Sequence, residues 1–330
     1  MDPVVGAPSF PPPVVAILGP TASGKSALGL TLAELLGGEI LCCDSMQVYR
    51  GMDIGTAKPS AGERAAIPHH LLDLASPVEQ FHAAAWAAAA RGIVAEVSSR
   101  GRLPIIVGGT GLYYRALVKG LFEAPRPDPE IRARHQAEAK AHGIAALQAR
   151  LRAIDPEAAA KILPGDLVRT SRALEVFEQT GMTISALRRQ KVVAPLPLCL
   201  FTVLLDFDLA YLRPRIATRV DAMMAAGFLD EVRALRAAGH GSARAMQGLG
   251  YKQLGQHLDG ALPLDEAVTG IKFATVAYAR RQRTWFRREE IRLRADQPLV
   301  ASALARLLHG FFRVQGARLR GPLEDWMMEP

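Results

Sequence analysis

The 330-residue chain has few of the features on which small secreted proteins, zinc proteins and membrane proteins depend. Its only three cysteines, Cys42, Cys43 and Cys199, form no Cys-x-x-Cys pair, so neither a disulfide framework nor a zinc site is predicted. No run of eighteen apolar residues occurs, and no membrane-spanning helix is expected. Residues 1–13 carry five prolines without the basic start and apolar centre of a signal peptide, which predicts a disordered tail. We therefore expect a reduced, cytoplasmic protein with no membrane partner.

The charge of the chain is unbalanced, with 40 lysines and arginines against 32 acidic residues and a net charge of +8. Such an excess favours an anionic partner, most often a nucleic acid, although many globular proteins are mildly basic without one. The chain is also long enough to bury a large core and to carry an additional unit.

The most informative segment is the apolar run Val14–Leu18 and the glycine-rich sequence that follows it. The pattern is Gly-x-x-x-x-Gly-Lys-Ser, in which closely folded backbone N–H groups surround phosphate oxygens. Lys25 adds a point charge, Ser26 offers a hydroxyl to Mg²⁺, and a helix expected over 27–36 presents its positive N-terminal end. We predict a di- or triphosphate site formed by Gly19, Pro20, Thr21, Ala22, Ser23, Gly24, Lys25 and Ser26.

Three further apolar runs have the composition of buried strands. They are Glu39–Cys43, Leu103–Val107 and Phe201–Leu205, and helical stretches such as Gln80–Ser99 lie between them. Strands that alternate with helices form a parallel sheet wrapped on both faces. The sequence therefore predicts an α/β fold with a P-loop NTPase-like parallel sheet flanked by helices.

The sequence changes character after about residue 123, where strand patterns stop until about residue 195. Capping aspartates predict helix starts at Asp128, Asp155 and Asp166, and glycines predict helix ends at Gly143 and Gly181. These signals predict an all-helical insertion domain. The expected division is a core of 14–122 and 196–315, an insertion of 123–195, and tails at 1–13 and 316–330.

Asp44 is the first candidate for chemistry outside the phosphate loop. It follows the second apolar run, nineteen residues past Lys25. Because the carboxyl ends of neighbouring parallel strands share one crevice, Asp44 is expected near the bound phosphate. Its residue type leaves three roles open, namely a metal-linked carboxylate, a general base or a helix cap.

The third run ends in Gly108-Gly109-Thr110, without the carboxylate by which many NTPases order Mg²⁺ and the attacking water. The glycines allow either a close approach of the backbone to a ligand or a plain turn, and Thr110 supplies only a hydroxyl. The missing acid argues against ATP hydrolysis. Asp206 ends the fourth run and could supply an acid by another route, so a P-loop small-molecule kinase stays an alternative.

Arginine is concentrated in two predicted helices. Residues 280–294 hold seven arginines interleaved with Trp285 and Phe286, and Arg169 and Arg172 form a second stripe. Arginine forks suit phosphates and base edges, and aromatic rings can stack on bases. Such charge runs are also typical of solvated helix faces, so RNA contact and simple exposure both remain open.

Eight motifs, in the same order along residues 14 to about 290, are similar to those of the tRNA dimethylallyltransferase (tRNA isopentenyltransferase) family. They are GPTASGKS (19–26), DSMQVYRGMDIGTAKP (44–59), PHHLLD (68–73), VGGTGLYYRAL (107–117), DPEIRAR (128–134), RTSRALEV (169–176), GLGYKQ (248–253) and YARRQRTWFR (278–287). The resemblance implies transfer of a dimethylallyl group from dimethylallyl diphosphate to the exocyclic amine of the adenosine 3′ of the anticodon in tRNA.

The resemblance also implies roles for the residues described above. The phosphate loop would bind the diphosphate leaving group, helped by Lys25, by Mg²⁺ on Ser26 and by Arg219. Asp44 would be the base that removes a proton from the attacking amine, and Thr110 a hydroxyl near the reacting atoms. No hydrolytic water is then needed, which agrees with the missing acid.

The implied partner is the anticodon stem-loop of tRNA, whose target base must leave its stack to react. We expect a monomer. A non-catalytic RNA-binding module is a further alternative, although the intact phosphate loop argues against it. The residues implied to contact tRNA are Asp44, Ser45, Met46, Gln47, Thr110, Arg132, Val168, Arg169, Thr170, Ser171, Arg172, Gln247, Gly248, Leu249, Gly250, Tyr251, Lys252, Arg280, Arg281, Gln282, Arg283, Thr284, Trp285, Phe286 and Arg287.

Overall fold

The computed structural model describes residues 11–122, 124–190, 197–317 and 319. These residues form two compact units, one from the described parts of 1–118 and 196–330 and the other from those of 119–195. The two predicted tails lie almost wholly outside the described residues. Residues 11–13, 316, 317 and 319 are the exceptions, and the first strand already begins at Pro13.

The first unit is built on a six-stranded parallel sheet, which confirms the predicted α/β fold. The strand order is β3-β2-β4-β1-β5-β6, and each neighbouring pair of these strands is parallel. The four strands predicted from apolar runs are its centre, and the short outer strands β3 and β6 were not predicted. The bounds are β1 Pro13–Leu18, β2 Gly38–Cys43, β3 His69–His70, β4 Leu103–Gly108, β5 Cys199–Leu205 and β6 Leu293–Ala295.

Helices cover this sheet, so the central strands β2 and β4 are buried along their whole length. Trp86 shows how a helix is fixed to the sheet, since its fully buried ring donates from Nε1 to the Cys42 carbonyl at 3.0 Å. The helices of this unit are α1 Lys25–Leu36, α2 Ala61–Ala66, α3 Ala83–Ser99, α4 Gly111–Val118, α10 Leu209–Ala225, α11 Phe228–Leu235, α12 Tyr251–Leu258, α13 Leu264–Phe286 and α14 Ala301–Val314.

The second unit is helical, and residues 124–190 contain no strand. The predicted helix starts are confirmed, because the side chains of Asp128, Asp155 and Asp166 each accept a first-turn N–H. Gly181 ends a helix in the left-handed conformation at φ 69°, also as predicted. The helices are α5 Pro129–His142, α6 Ile144–Ile154, α7 Pro156–Lys161, α8 Leu167–Thr180 and α9 Ile184–Gln190.

No helix among the described residues is both long enough and apolar enough to cross a bilayer.

Candidate active site

The loop between β1 and α1 has the backbone of an anion site. Ala22 and Gly24 both have left-handed dihedral angles, with φ of 63° and 88°, which turn the chain tightly before the helix. Gly24 is the N-terminal cap of α1 and has no side chain to occupy the first-turn amides. Those amides therefore stay available to an anion at the positive end of the helix.

Lys25, Arg219 and Asp44 form the charged centre of the site. The pKa of Lys25 is lowered to about 8, first by burial and then by the charge of Arg219, whereas the Asp44 carboxylate opposes the shift. Burial also lowers the pKa of Arg219, and Asp44 again opposes it. Neither cation makes a salt bridge with any described residue. Two desolvated cations without a paired carboxylate are arranged to receive an anion that the protein does not supply.

Asp44 lies where β2 ends, and one of its oxygens has a local role. Its Oδ1 accepts the Met46 N–H at 2.8 Å, closing a turn. The residues that follow form turns and not a helix, so the helix-cap alternative is wrong and the aspartate caps a turn instead. Asp44 is only partly exposed, and its charge acts on Lys25, Arg219 and the phenol of Tyr278.

Thr110 occupies the equivalent place after β4 and is tied to the end of β2. Its N–H donates to the Cys43 carbonyl at 3.2 Å, and its Oγ1 accepts the Ser45 N–H at 3.0 Å. The Tyr278 hydroxyl also forms a hydrogen bond with Thr110, while burial and the Asp44 charge raise the pKa of that phenol. The structure thus brings Asp44 and Thr110 together next to the phosphate loop.

The glycines around Thr110 are required by close contacts within the protein. A Cβ on Gly108 would lie 2.0 Å from the Cys43 carbonyl oxygen, and one on Gly111 would lie 2.1 Å from Trp285. Side chains at these positions would force the loops apart. The close approach that these glycines allow is therefore made by Cys43 and Trp285 of the protein itself.

The segment 280–287 has two faces in α13. Arg280, Arg281, Thr284 and Arg287 are exposed, as RNA contact requires. The other face belongs to the core, because Gln282 and Phe286 are 5% and 0% exposed. Trp285 lies under the Arg115 guanidinium at 4.5 Å.

The predicted RNA contacts in the second unit also differ in their surroundings. Arg132 and Arg172 both donate to the fully buried carboxylate of Glu175, at 3.2 Å and 2.8 Å. Val168 and Arg169, on the first turn of α8, are strongly exposed. Thr170 and Ser171, on the same helix, are buried. Among the RNA contacts predicted in the first unit, Gln247 and Lys252 are exposed.

The loop before α12 packs on the turn after Asp44. A Cβ on Gly248 would lie 2.5 Å from the Met46 side chain. Tyr251 is buried, and its hydroxyl donates at 2.6 Å to Glu231, which also accepts backbone N–H groups from Asp53 to Gly55. The Glu231 carboxylate therefore fixes the backbone of residues 53–55, which continues the chain from the Asp44 turn.

Three residues have structural roles that the sequence did not reveal. Arg215 lies one helical turn before Arg219, and its Nε donates to the Ala22 carbonyl at 2.9 Å, so α10 also holds the phosphate loop. Asp206 pairs with Arg283 at 2.8 Å, and Asp208 caps α10 through the Tyr211 N–H. The four-residue spacing of Arg215 and Arg219 could have predicted that both lie on the same face of α10. No local pattern indicates that Asp206 pairs with Arg283.

A cavity of about 700 Å³ adjoins the charged centre at Arg219. Small and apolar side chains of α10 and of the segment before α2 form much of its wall, including Ile54, Ala57, Ala222 and Met223. A ligand with an anionic group and an apolar part would meet both surfaces.

The residues present fit a magnesium ion that is bound mainly by a phosphate ligand. The Ser26 side chain is exposed in the first turn of α1, next to Lys25, on which the Asp44 charge acts. No cluster of three or more histidine, cysteine or acidic residues that could hold a metal occurs in the described parts of the chain. Magnesium commonly binds through one or two protein groups plus substrate phosphates, so a dedicated cluster is not needed.

A parallel sheet whose first strand leads into an anion-binding loop, with cations and a carboxylate at the same edge, defines a phosphate-binding α/β protein of the P-loop class. The family described as IPP transferase matches residues 47–289, which is more than half of the sequence. The chain belongs to this IPP transferase family.

Individual relatives agree with that assignment. A tRNA dimethylallyltransferase from Roseiflexus castenholzii is 49% identical over 87% of this chain and 94% of the relative, and one from Sorangium cellulosum is 45% identical over 86% and 91%. A crystallised tRNA isopentenylpyrophosphate transferase from Bacillus halodurans is 37% identical, with a TM-score of 0.67 over 92% of this chain and 98% of that one. A eukaryotic dimethylallyltransferase acting on tRNA, 23% identical with a TM-score of 0.75 over 96% and 84%, shares the fold.

Proposed function

We propose that this protein transfers a dimethylallyl group from dimethylallyl diphosphate to the exocyclic amine of the adenosine 3′ of the anticodon in tRNA, releasing diphosphate. The observation that carries the proposal is that Asp44 and Thr110 lie at the same edge of the sheet as Lys25 and Arg219, two cations without a carboxylate partner. The names of the relatives support the same reaction.

The cations and the loop amides act on the leaving group. When the allylic C–O bond breaks, the diphosphate gains negative charge and the five-carbon group becomes a resonance-stabilised cation. Lys25 and Arg219 are partly buried, and the amides at the start of α1 belong to the helix, so these groups can stabilise the departing anion with little reorganisation. Magnesium bound at Ser26 would supply further charge neutralisation of the diphosphate oxygens.

The carboxylate and hydroxyl act on the acceptor. An exocyclic amine conjugated with a purine is a weak nucleophile, so removal of its proton as the new C–N bond forms lowers the barrier. Asp44 has an oxygen to receive that proton, since only Oδ1 closes the turn to Met46. Thr110 is held by Cys43 and Ser45 and can orient the amine beside it.

The exposed arginines of α13 and α8 are the proposed RNA contacts. Arg280, Arg281 and Arg287 are not buried by the protein, and Arg169 is 61% exposed in its side chain. Guanidinium groups bind phosphates and stack on bases, and the target adenine must leave its stack to reach Asp44.

We further propose that the protein acts as a monomer and in the cytoplasm.

The test is incubation of the protein with unmodified tRNA, Mg²⁺ and dimethylallyl diphosphate, followed by mass spectrometry of the nucleosides. The expected product is a dimethylallylated adenosine at the position 3′ of the anticodon. Replacing the donor with ATP is the matched control and should give no modified nucleoside. Phosphoryl transfer from ATP without any prenylated product would contradict the proposal and favour a kinase.

A further inference from the structure

Gln282 is a glutamine of the arginine-rich helix α13 whose side chain points into the protein. It is 5% exposed, and both ends of its amide are hydrogen-bonded. Its Oε1 accepts the Thr21 N–H at 2.9 Å, and its Nε2 donates to the Gly109 carbonyl at 3.0 Å. The partners fix the orientation of the amide, since an N–H requires the oxygen and a carbonyl requires the nitrogen.

The two partners belong to the two loops that the proposed reaction must align. Thr21 lies in the phosphate loop after β1, and Gly109 precedes Thr110 in the loop after the adjacent strand β4. One buried amide therefore spans from the loop for the leaving group to the loop for the acceptor. A glutamine suits this task because it is neutral and offers a donor and an acceptor at once.

Gly109 leaves the space in which this amide sits. A Cβ at this position would lie 2.1 Å from Gln282 Nε2 and 3.0 Å from the Gly19 carbonyl oxygen. A side chain at position 109 would therefore displace both the Gln282 amide and the phosphate loop.

The geometry points to Gln282 as a positioning residue, which sets the distance between the diphosphate loop and the Thr110 loop and does not contact RNA. This inference rests on the proposed function. In a displacement the donor carbon must face the amine at close range, and a shift of about 1 Å between the loops costs about a hundredfold in rate.

The experiment compares Gln282→Met, which keeps the size of the side chain and loses both hydrogen bonds, with Arg281→Ala on the exposed face of the same helix. For Gln282→Met we expect about a hundredfold lower kcat and about tenfold weaker binding of inorganic diphosphate, with unchanged tRNA affinity. Arg281→Ala should do the reverse, weakening tRNA binding while diphosphate affinity is kept.

Gln282→Asn is the milder variant if Gln282→Met folds poorly, because the shorter amide can reach only one loop at a time. Loss of tRNA affinity with normal diphosphate binding in either variant would overturn the inference. So would a lowered thermal midpoint with normal kcat and normal diphosphate affinity, as expected of a merely structural residue.

The two proposals can fail separately. A wild-type protein that binds inorganic diphosphate but makes no prenylated tRNA would refute the proposed function. The diphosphate affinities of wild type and Gln282→Met would still decide whether Gln282 positions the phosphate loop.

Discussion

The Arg283 guanidinium donates from Nε to Asp206 Oδ1 at 2.8 Å, and both side chains are about four-fifths buried. Asp206 directly follows β5, at the edge of the sheet where an NTPase would place an acid for its metal. The carboxylate is instead committed to α13, and Arg294 lies 4.0 Å from its other oxygen. The kinase alternative thereby loses Asp206, the acid by which the sequence kept it open.

Asp206→Asn should therefore leave the chemistry intact. We expect Mg²⁺-dependent prenyl transfer close to that of wild type, with a free energy of unfolding lowered by about 2 kcal/mol, because the charge is lost from a largely buried ion pair while the amide oxygen can still accept from Arg283. Transfer rates over a Mg²⁺ titration and urea denaturation measure the two quantities. A large increase in the Mg²⁺ requirement would instead place Asp206 on the metal.

Asp44→Asn should separate catalysis from RNA binding. The amide keeps the shape and can still accept from the Met46 N–H, but it cannot take a proton. The rate of transfer in a single turnover is expected to fall by about 10²–10⁴-fold, the usual contribution of a general base. The dissociation constant for tRNA, measured in parallel, should not change. A variant with normal turnover would remove Asp44 from the mechanism.

Lys25 predicts a pH dependence of anion binding. Its pKa of about 8 in the ligand-free protein means that the side chain is cationic below this pH and neutral above it. The advantage of wild type over Lys25→Met in binding inorganic diphosphate should therefore shrink as the pH rises from about 7 to about 9. Lys25→Arg keeps its charge throughout and is the control. A constant ratio across this range would show that Lys25 stays protonated or makes no contact.

The exposed face of α13 predicts a salt-dependent contact with tRNA. A guanidinium bound to a phosphate releases counterions, so Arg281→Ala should lower the slope of log affinity against log salt by about one. Arg233 is an exposed arginine of α11 that pairs with Asp230, and Arg233→Ala is the matched control with the same change of charge. Equal slopes for wild type and both variants would exclude Arg281 as a phosphate contact.

The sequence predicted the elements whose signals are local. The phosphate loop, the four central strands and the helix starts at Asp128, Asp155 and Asp166 depend on apolar runs and on capping within a few residues. The edge strands β3 and β6 were missed because two or three residues carry no periodicity, and they form only where a neighbouring strand pairs with them.

The site was harder to predict where partners are far apart in the chain. Gln282 and Thr21 are separated by 261 positions, and no local pattern joins them. A partial signal existed, since Gln282 lies four residues before the buried Phe286 and therefore shares its inward face. The arginine-rich composition of residues 280–287 obscures this inward face, because it favours RNA contact for the whole segment.

Glu175 gives the sharpest prediction for the helical unit. Its carboxylate is fully buried and accepts from both Arg132 and Arg172, two of the predicted RNA contacts. Glu175→Gln removes the charge that holds these guanidinium groups in place, and it leaves them uncompensated in a partly buried setting. We expect about 2 kcal/mol less stability, below the usual range for a fully buried pair because both arginines are partly exposed. Hydrogen exchange of α5 and α8 should be faster than in wild type.

The control is Glu157→Gln, because Glu157 is an exposed partner of Lys161 and should have little effect on exchange. The tRNA affinity of Glu175→Gln distinguishes the effect of orienting Arg132 and Arg172 from the effect of their charge. Glu175→Gln makes the unit more positive, so a purely electrostatic contact would bind tRNA more tightly at low salt. If the carboxylate orients Arg132 and Arg172 toward phosphates, affinity must fall despite the added positive charge. A rise in affinity would show that these arginines bind RNA without that orientation.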